Sequence, residues 1–244
     1  MARDKGDKCD KLIVSADPAY PPLHWYDGKV WRGASIAITT RILADLHIPY
    51  EVRYLGPWAR VMSSARDGQI DLVATLKETP ERKDFLRFTH EVFSNPVAVF
   101  VPKGSRLSYA QWSDLQDFRG GIARGNRFGE PFDTFLDKYL HVEQTNNLAP
   151  SFNMLMAGRF DYVITGYYPG TTYLSSSSLE DKIYPLPTFI NASPNLIGFV
   201  AASPCVAYLD SFNRRLATLL RQKIVEKSLE NAINEWRKHP LLGQ

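Results

Sequence analysis

Cations stand where two helices are about to begin. In "TLKETPERKDF", residues 75–85, Thr79 is suited to cap a helix, Pro80 to fill its first position, and Glu81 to sit beside the exposed amides. Arg82 then falls in the first turn, where the helix N-terminus already carries roughly half a positive charge and disfavours a cation by up to about 1 kcal/mol. An anion docked on those amides and gripped by the guanidinium fork would remove that cost, and Lys77 belongs to the same loop. The alternative is a solvated arginine partly neutralised by Glu81 and Asp84. A second loop tips the balance: "IARGNRFGEPF", residues 122–132, again runs from a strand through a glycine-containing turn with Arg124 and Arg127 into a helix. Two such loops suggest a cleft for a small anion or zwitterion. The GxxxxGK[ST] spacing of a nucleotide phosphate loop is absent.

Aromatic residues form the other group. "AYPPLHWYDG" puts Tyr20, Trp25 and Tyr26 in a proline-rich loop after the first strand, and "GYYPG" offers Tyr167 and Tyr168. Rings on loops wall ligand pockets or cover cores, and Tyr20 is the first choice for a pocket residue, with Trp25 behind it. Catalytic signals are weak. His24, His47, His90, His141 and His239 are scattered without metal-ligand spacing, and neither a GxSxG elbow nor a GxGxxG turn occurs. No catalytic residue, metal or cofactor is expected.

The elements that must hold these loops read as β-α-β-α-β, twice. The first set runs from Lys11 to Thr75; the second comprises "FRGGIA", "GEPFDTFLDKYL", "HVEQTN", "SFNMLMAGR" and "FDYVIT". That order implies mostly parallel sheets covered by helices, with ligands beyond the carboxyl ends of the strands. The repeat is visible in letters: "GQIDLVAT" at 68–75 matches "GRFDYVIT" at 158–165. Two α/β lobes follow, the first from residues 1–99 and 197–244, the second from 100–196, with 97–102 and 196–203 as apolar runs carrying the chain across. Asp71 and Asp161 open their strands and so read as structural. "LSSSSLED", 174–181, reads as a polar loop.

With 244 residues, 44% hydrophobic and 23% charged, and a net charge of +3, the chain is globular and lacks the concentrated basic face of a nucleic-acid binder. Its apolar runs fall short of the roughly 20 residues of a membrane helix. The polar start "MARDKGDKCDK" lacks a signal segment, which leaves a cytosolic protein or a mature domain behind an added methionine. Cys9 and Cys205 either form one long-range disulfide or stay as buried thiols. Their polar, turn-like neighbours favour the disulfide and hence a place outside the cytoplasm.

Along nearly the whole chain, from "LIVSADPAYPPLHW" through "RGASIAITTRILADL" and "GPWARVMSSARDGQIDLVATLKETPERKDFLRFT" to "AGRFDYVITGYYPG", the sequence resembles the periplasmic solute-binding proteins of family 3, the polar amino-acid type that serves ABC transporters. "TPER" followed by "FLRFT" is the most specific piece, and "GPWARV" looks like a divergent branch. The resemblance implies two α/β lobes of the type II, Venus-flytrap kind, joined by two crossing strands and closing on a small ligand. It gives Arg82 the ligand's α-carboxylate, Tyr20 the stacking role, Asp17 a nearby polar contact, and Thr75 and Lys77 the strand-tip positions. Asn126 and Arg127 match the second lobe's carboxylate loop. It also implies a membrane ABC permease as partner, a monomer, and a periplasmic location.

Departures from the pattern sharpen the ligand. "GAS", 33–35, replaces the usual "GFD", Lys77 and Arg127 replace hydroxyl residues, and the acidic partner of an amino group maps onto Gly166. A cleft this rich in positive charge suits an acidic amino acid or another small carboxylate, with Asp17 or Glu78 serving any amino group. Two other readings use the same lobes. One is the extracellular input domain of a membrane receptor; the other, less supported, is a dehydratase-like enzyme.

Overall fold

Strand β1 (Leu12–Ser15) is four buried residues in a row, the mark of a strand covered on both faces. The computed structural model describes residues 8–192 and 194–238; the polar stretch 1–7 and His239 lie outside them. After β1 come β2 (Ala19–Tyr20), β3 (His24–Tyr26), β4 (Trp31–Arg32), helix α1 (Ala34–Asp45), β5 (Tyr50–Val52), α2 (Trp58–Arg66), β6 (Leu72–Leu76), the one-turn α3 (Pro80–Lys83), β7 (Leu86–Phe88) and β8 (Phe93–Ser94). Then follow β9 (Val97–Pro102), β10 (Arg119–Ala123), α4 (Phe132–Tyr139), β11 (His141–Thr145), α5 (Leu148–Met156), β12 (Tyr162–Gly166), α6 (Tyr167–Ser176) and β13 (Ile183–Asn191). The last elements among the described residues are β14 (Pro194–Val200), α7 (Leu209–Arg221) and α8 (Ile224–Lys238).

Two compact units result. Unit 1 contains the chain up to Phe93 and then Pro194–Glu235; unit 2 begins at Ser94 and takes in β9 to β13. The sheet of unit 1 has the order β5-β1-β6-β14-β7, with β8 also paired to β14, and that of unit 2 the order β11-β10-β12-β9-β13. In each, the first three strands are parallel and the fourth and fifth alternate in direction. The unit boundaries therefore fall at 93/94 and 193/194, a few residues before the expected 99/100 and 196/197. The reason is pairing: β9 is hydrogen-bonded between β12 and β13, and β14 between β6 and β7, so neither strand is divided.

The repeated letters mark a repeated structure. Gly68 and Gly158 adopt φ of 68° and 69°, the left-handed region that glycine enters without steric cost and that ends a helix. Three residues after each glycine, Asp71 and Asp161 extend the parallel ladder by one rung. The Asp71 N–H donates to the Ile13 carbonyl at 2.9 Å while its carboxylate accepts the Ile13 N–H at 2.7 Å. Asp161 does the same with Arg119, at 2.8 Å in both directions. Both acids hold strand starts together, the structural role expected of them.

The copies differ in burial. Asp71 is 4% exposed and also accepts the Ser203 hydroxyl at 2.6 Å, whereas Asp161 is bonded to an exposed Arg119. Asp71→Ala strands a buried N–H and a buried hydroxyl, a loss of about 2–4 kcal/mol. Asp161→Ala, in reach of water, should lose well under half of that. Urea unfolding of the two variants checks the order, and equal losses would contradict it.

Two stretches read as loops are regular. Residues 19–32 fold into the antiparallel ribbon β2-β3-β4, pairing Tyr20 with His24 and Trp25 with Arg32, because Leu23, His24 and Trp25 are buried and their main chains need partners. "GYYPG" and the start of "LSSSSLED" form α6, whose Pro169 sits in the first turn where a missing N–H is tolerated. The hydroxyls of Thr171, Ser176 and Ser177 fold back onto carbonyls of the same helix.

Candidate functional site

The tip of β6 in unit 1 carries the cations. Thr75, near its end, has φ of 52°, and a β-branched residue in the left-handed region stores strain of about 1–3 kcal/mol, the kind kept at functional sites. Its hydroxyl is buried and has no hydrogen-bond partner among the described residues. Three residues past the strand, Thr79 caps α3 as its sequence demands: Oγ1 accepts the Arg82 N–H at 3.2 Å, and Pro80 opens the turn. The turn carries Arg82 inward.

Arg82 is 6% exposed, so it is not the solvated arginine of the alternative reading. Its Nη1 donates to the Lys77 carbonyl at 2.7 Å, and the guanidinium lies 5.6 Å from the centre of the Trp58 ring. A main-chain acceptor on one side and an aromatic face on the other hold a delocalised cation in place. The Glu81 carboxylate is bonded to Arg66 at 2.6 Å. Glu78 is likewise bonded to Lys83. Lys77 is 7% exposed, and burial pushes its pKa down to about 8 against the opposing pull of Glu91.

At the neighbouring tip, after β1, Asp17 accepts the Ala19 N–H at 2.9 Å, and its own carbonyl lies 2.7 Å from Nδ1 of His24, which donates to it. Half-buried Tyr20 stacks on His24 with ring centres 5.5 Å apart. His24 is thus the support under the Tyr20 ring, a residue that sequence reading set aside as scattered. Trp25, by contrast, is 2% exposed and belongs to the core.

These two titratable groups oppose one another. Burial lowers the pKa of His24 from 6.5 to about 4, outweighing nearby main-chain acceptors such as those of Asp17 and Thr75, and raises that of Asp17 from 3.8 to about 6. The histidine's contribution to stability is full above 6.5 and is lost as pH falls from there towards 4. The aspartate's runs the other way, since the folded state holds its proton longer and stability falls as pH rises from 4 to 6. In the protein the two slopes offset each other between about 4 and 6. His24→Gln should leave a melting temperature that drops with rising pH across that window, and Asp17→Asn one that climbs. Melting curves from pH 4 to 7 that keep the parental slope in both variants would refute this.

Unit 2 presents its own pair of tips. Beyond β10, the Asn126 N–H closes a turn onto the Ala123 carbonyl at 3.0 Å, and the buried Asp133 carboxylate fixes the next loop by accepting the N–H groups of Phe128 and Gly129 at 2.8 and 2.9 Å. Arg127, a third exposed, bonds Asp137 at 2.8 Å. Gly166, the last residue of β12, leads directly into α6, and Tyr167 packs edge-on against Tyr168 and Phe189, both at 5.6 Å. Thr165, the counterpart of Thr75 in the repeat, also buries a hydroxyl without a partner among the described residues.

Thr75, Lys77 and Arg82 thus stand at and just beyond the end of β6, Asp17 and Tyr20 follow the end of the neighbouring β1, with Tyr20 in the separate ribbon β2-β3-β4, and Asn126, Arg127 and Tyr167 follow the ends of β10 and β12 in unit 2. Sequence reading missed Trp58 and His24. A tryptophan opening a helix after a strand, in "GPWARV", was the available signal for the first. Among the described residues, no group of three or more His, Cys, Asp or Glu is placed to hold a metal ion.

Two α/β units with one strand order and polar residues gathered at their strand tips define the two-lobed class of solute-binding proteins. The chain belongs to the bacterial extracellular solute-binding proteins, family 3, whose profile matches residues 12–236. Among solved structures it is similar to an amino acid ABC transporter substrate-binding protein from Streptococcus pneumoniae bound to L-arginine (18% identity, TM-score 0.76, 92% of this chain and 95% of that one). It is similar also to the GluR0 ligand-binding core in complex with L-glutamate (17%, 0.78, 91% and 97%). A third is a histidine kinase sensor domain with similarity to periplasmic binding proteins (21%, 0.78, 93% and 97%). No curated protein matches the sequence. No helix among the described residues is long and apolar enough to cross a membrane.

Proposed function

We propose that this chain captures a small carboxylate-bearing solute, an amino acid or related organic acid, in the periplasm and delivers it to a membrane ABC permease. The observation that carries the reading is Arg82: a buried guanidinium, oriented by the Lys77 carbonyl and Trp58, at the carboxyl end of a sheet where ligands of such folds dock. Thr75, Asp17 and Tyr20 supply the hydroxyl, the acid and the ring around it, and Asn126, Arg127 and Tyr167 are the contributions of unit 2. The reading asks for binding, not chemistry, and for a monomer without a cofactor.

A thermal-shift screen of amino acids and small organic acids tests it, alongside mass spectrometry of any small molecule that copurifies. A ligand that binds only the folded state raises the melting temperature by mass action, and at least one carboxylate should do so. If only uncharged or cationic compounds stabilise the protein, the reading fails. A second reading, the ligand-sensing part of a membrane receptor, draws support from the likeness to a kinase sensor domain. The gene distinguishes them: a signalling domain in the same reading frame favours the sensor, an adjacent permease gene the transporter.

A further inference from the structure

We propose that His24 is the positioning residue of the solute site in unit 1: it stays out of reach of the solute, sets the Tyr20 ring that meets it, and through that ring tunes affinity. The inference rests on the carboxylate reading above for the part that concerns affinity, and it names the residue on which one wall of that site depends.

One imidazole meets three of the residues at these strand tips. Its Nδ1 donates to the Asp17 carbonyl at 2.7 Å, its ring is stacked with that of Tyr20 at 28° between the planes, and the Thr75 main chain lies near enough to act on its charge. The register of β2 and β3 sets Tyr20 directly opposite His24, so the two side chains meet across the ribbon. His24 is 2% exposed, whereas Tyr20 is only half-buried. The histidine can therefore act on a solute only through its neighbours.

The base under the imidazole is fixed. The carbonyl of Leu23, the preceding residue, accepts both the N–H and the hydroxyl of the buried Ser35, at 2.8 and 2.9 Å, and the Pro22 carbonyl accepts the Ala34 N–H at 3.0 Å. The departure "GAS" thus ties the ribbon to the first turn of α1. Strand β2 is the two-residue edge of that ribbon, and a ring on so short a strand takes its orientation from what it lies against. Phenylalanine in place of His24 would keep the stacking face and lose the donor to Asp17; asparagine would do the reverse. Since the Asp17 carbonyl can only accept, the proton of the neutral ring sits on Nδ1, and Nε2, buried without a hydrogen bond among the described residues, carries none.

Two measurements on the full chain test this. NMR of the isotope-labelled protein at neutral pH, without ligand, should show an imidazole close to the Tyr20 ring, protonated at Nδ1 and bare at Nε2. A proton on Nε2 overturns the arrangement. Calorimetry with L-glutamate, L-aspartate, L-alanine and succinate then supplies a double-mutant cycle on whichever acid binds. His24→Asn should weaken that acid about fivefold, the scale of one aromatic contact. In a Tyr20→Ala background the same change should matter by less than about twofold, because its route to the solute is gone. His24→Phe, which restores the face, should recover most of the loss. A histidine that only stabilises the fold would cost the same in both backgrounds, so equal losses overturn the proposal, as does an unchanged affinity in His24→Asn. If none of the four acids binds, the carboxylate reading fails by itself, and the ring signals of Tyr20 decide for His24: in His24→Asn they should collapse to those of a mobile tyrosine, and signals that stay dispersed overturn the positioning role.

Discussion

Arg82→Gln is expected to weaken capture of a carboxylate ligand by about a hundredfold or more and to leave the fold nearly unchanged. A bidentate, desolvated guanidinium–carboxylate pair loses about 2–5 kcal/mol when one partner is truncated, and each 1.4 kcal/mol is about a tenfold change in affinity. The fold survives because the capping bond of α3 goes from the backbone N–H of residue 82 to Thr79, and any residue there can donate it. Among what the variant gives up internally are the Nη1 contact with the Lys77 carbonyl and the face of Trp58, together about 1–2 kcal/mol. Titration calorimetry with the stabilising ligand from the screen, paired with unliganded melting curves, separates the two effects. Unchanged affinity in a folded variant removes Arg82 from the site.

Reducing the Cys9–Cys205 disulfide should cost the protein about 2–4 kcal/mol. The bridge joins residues 196 apart, linking the segment before β1 to the buried turn that leads into α7. Loop-closure entropy alone predicts about 5 kcal/mol for a loop of that length, and measured values usually fall below the prediction. For a chain of this size each kcal/mol moves the melting temperature by about 2–4 °C, so the midpoint should drop by about 5–15 °C. Calorimetry with and without reductant, and the double variant Cys9→Ser, Cys205→Ser, should agree. A thiol count on denatured, unreduced protein should return none, because among the described residues no cysteine is free. A midpoint unmoved after verified reduction would show that the bridge adds no stability. Such bridges persist in oxidising surroundings, which agrees with membership of an extracellular family.

Much of the site was legible wherever a few adjacent residues decide the outcome. "TPER" specifies its own cap and first turn, and the structure shows Thr79 and Pro80 in those places. "GQIDLVAT" and "GRFDYVIT" specify a left-handed glycine, a ladder-extending aspartate and a buried strand, and both copies adopt them. The two cysteines paired as their surroundings favoured. What escaped was set by distant partners. The ribbon from Ala19 to Arg32 exists because burying Trp25 obliges its main chain to find hydrogen bonds, and no periodicity within the stretch announces that. The unit boundaries followed the pairing of β9 and β14, two strands nearly a hundred residues apart.

Taken alone, then, the order of residues determined the doubled α/β plan, the strand tips and the cations that stand on them, because caps, turns and alternation are local physics. It could not say which charges face inward. Only the folded chain turned Glu78 and Glu81 out to Lys83 and Arg66 and kept Lys77 and Arg82 in, since burial belongs to neighbours brought from elsewhere in the sequence and the environment of a charge is a property of three-dimensional packing.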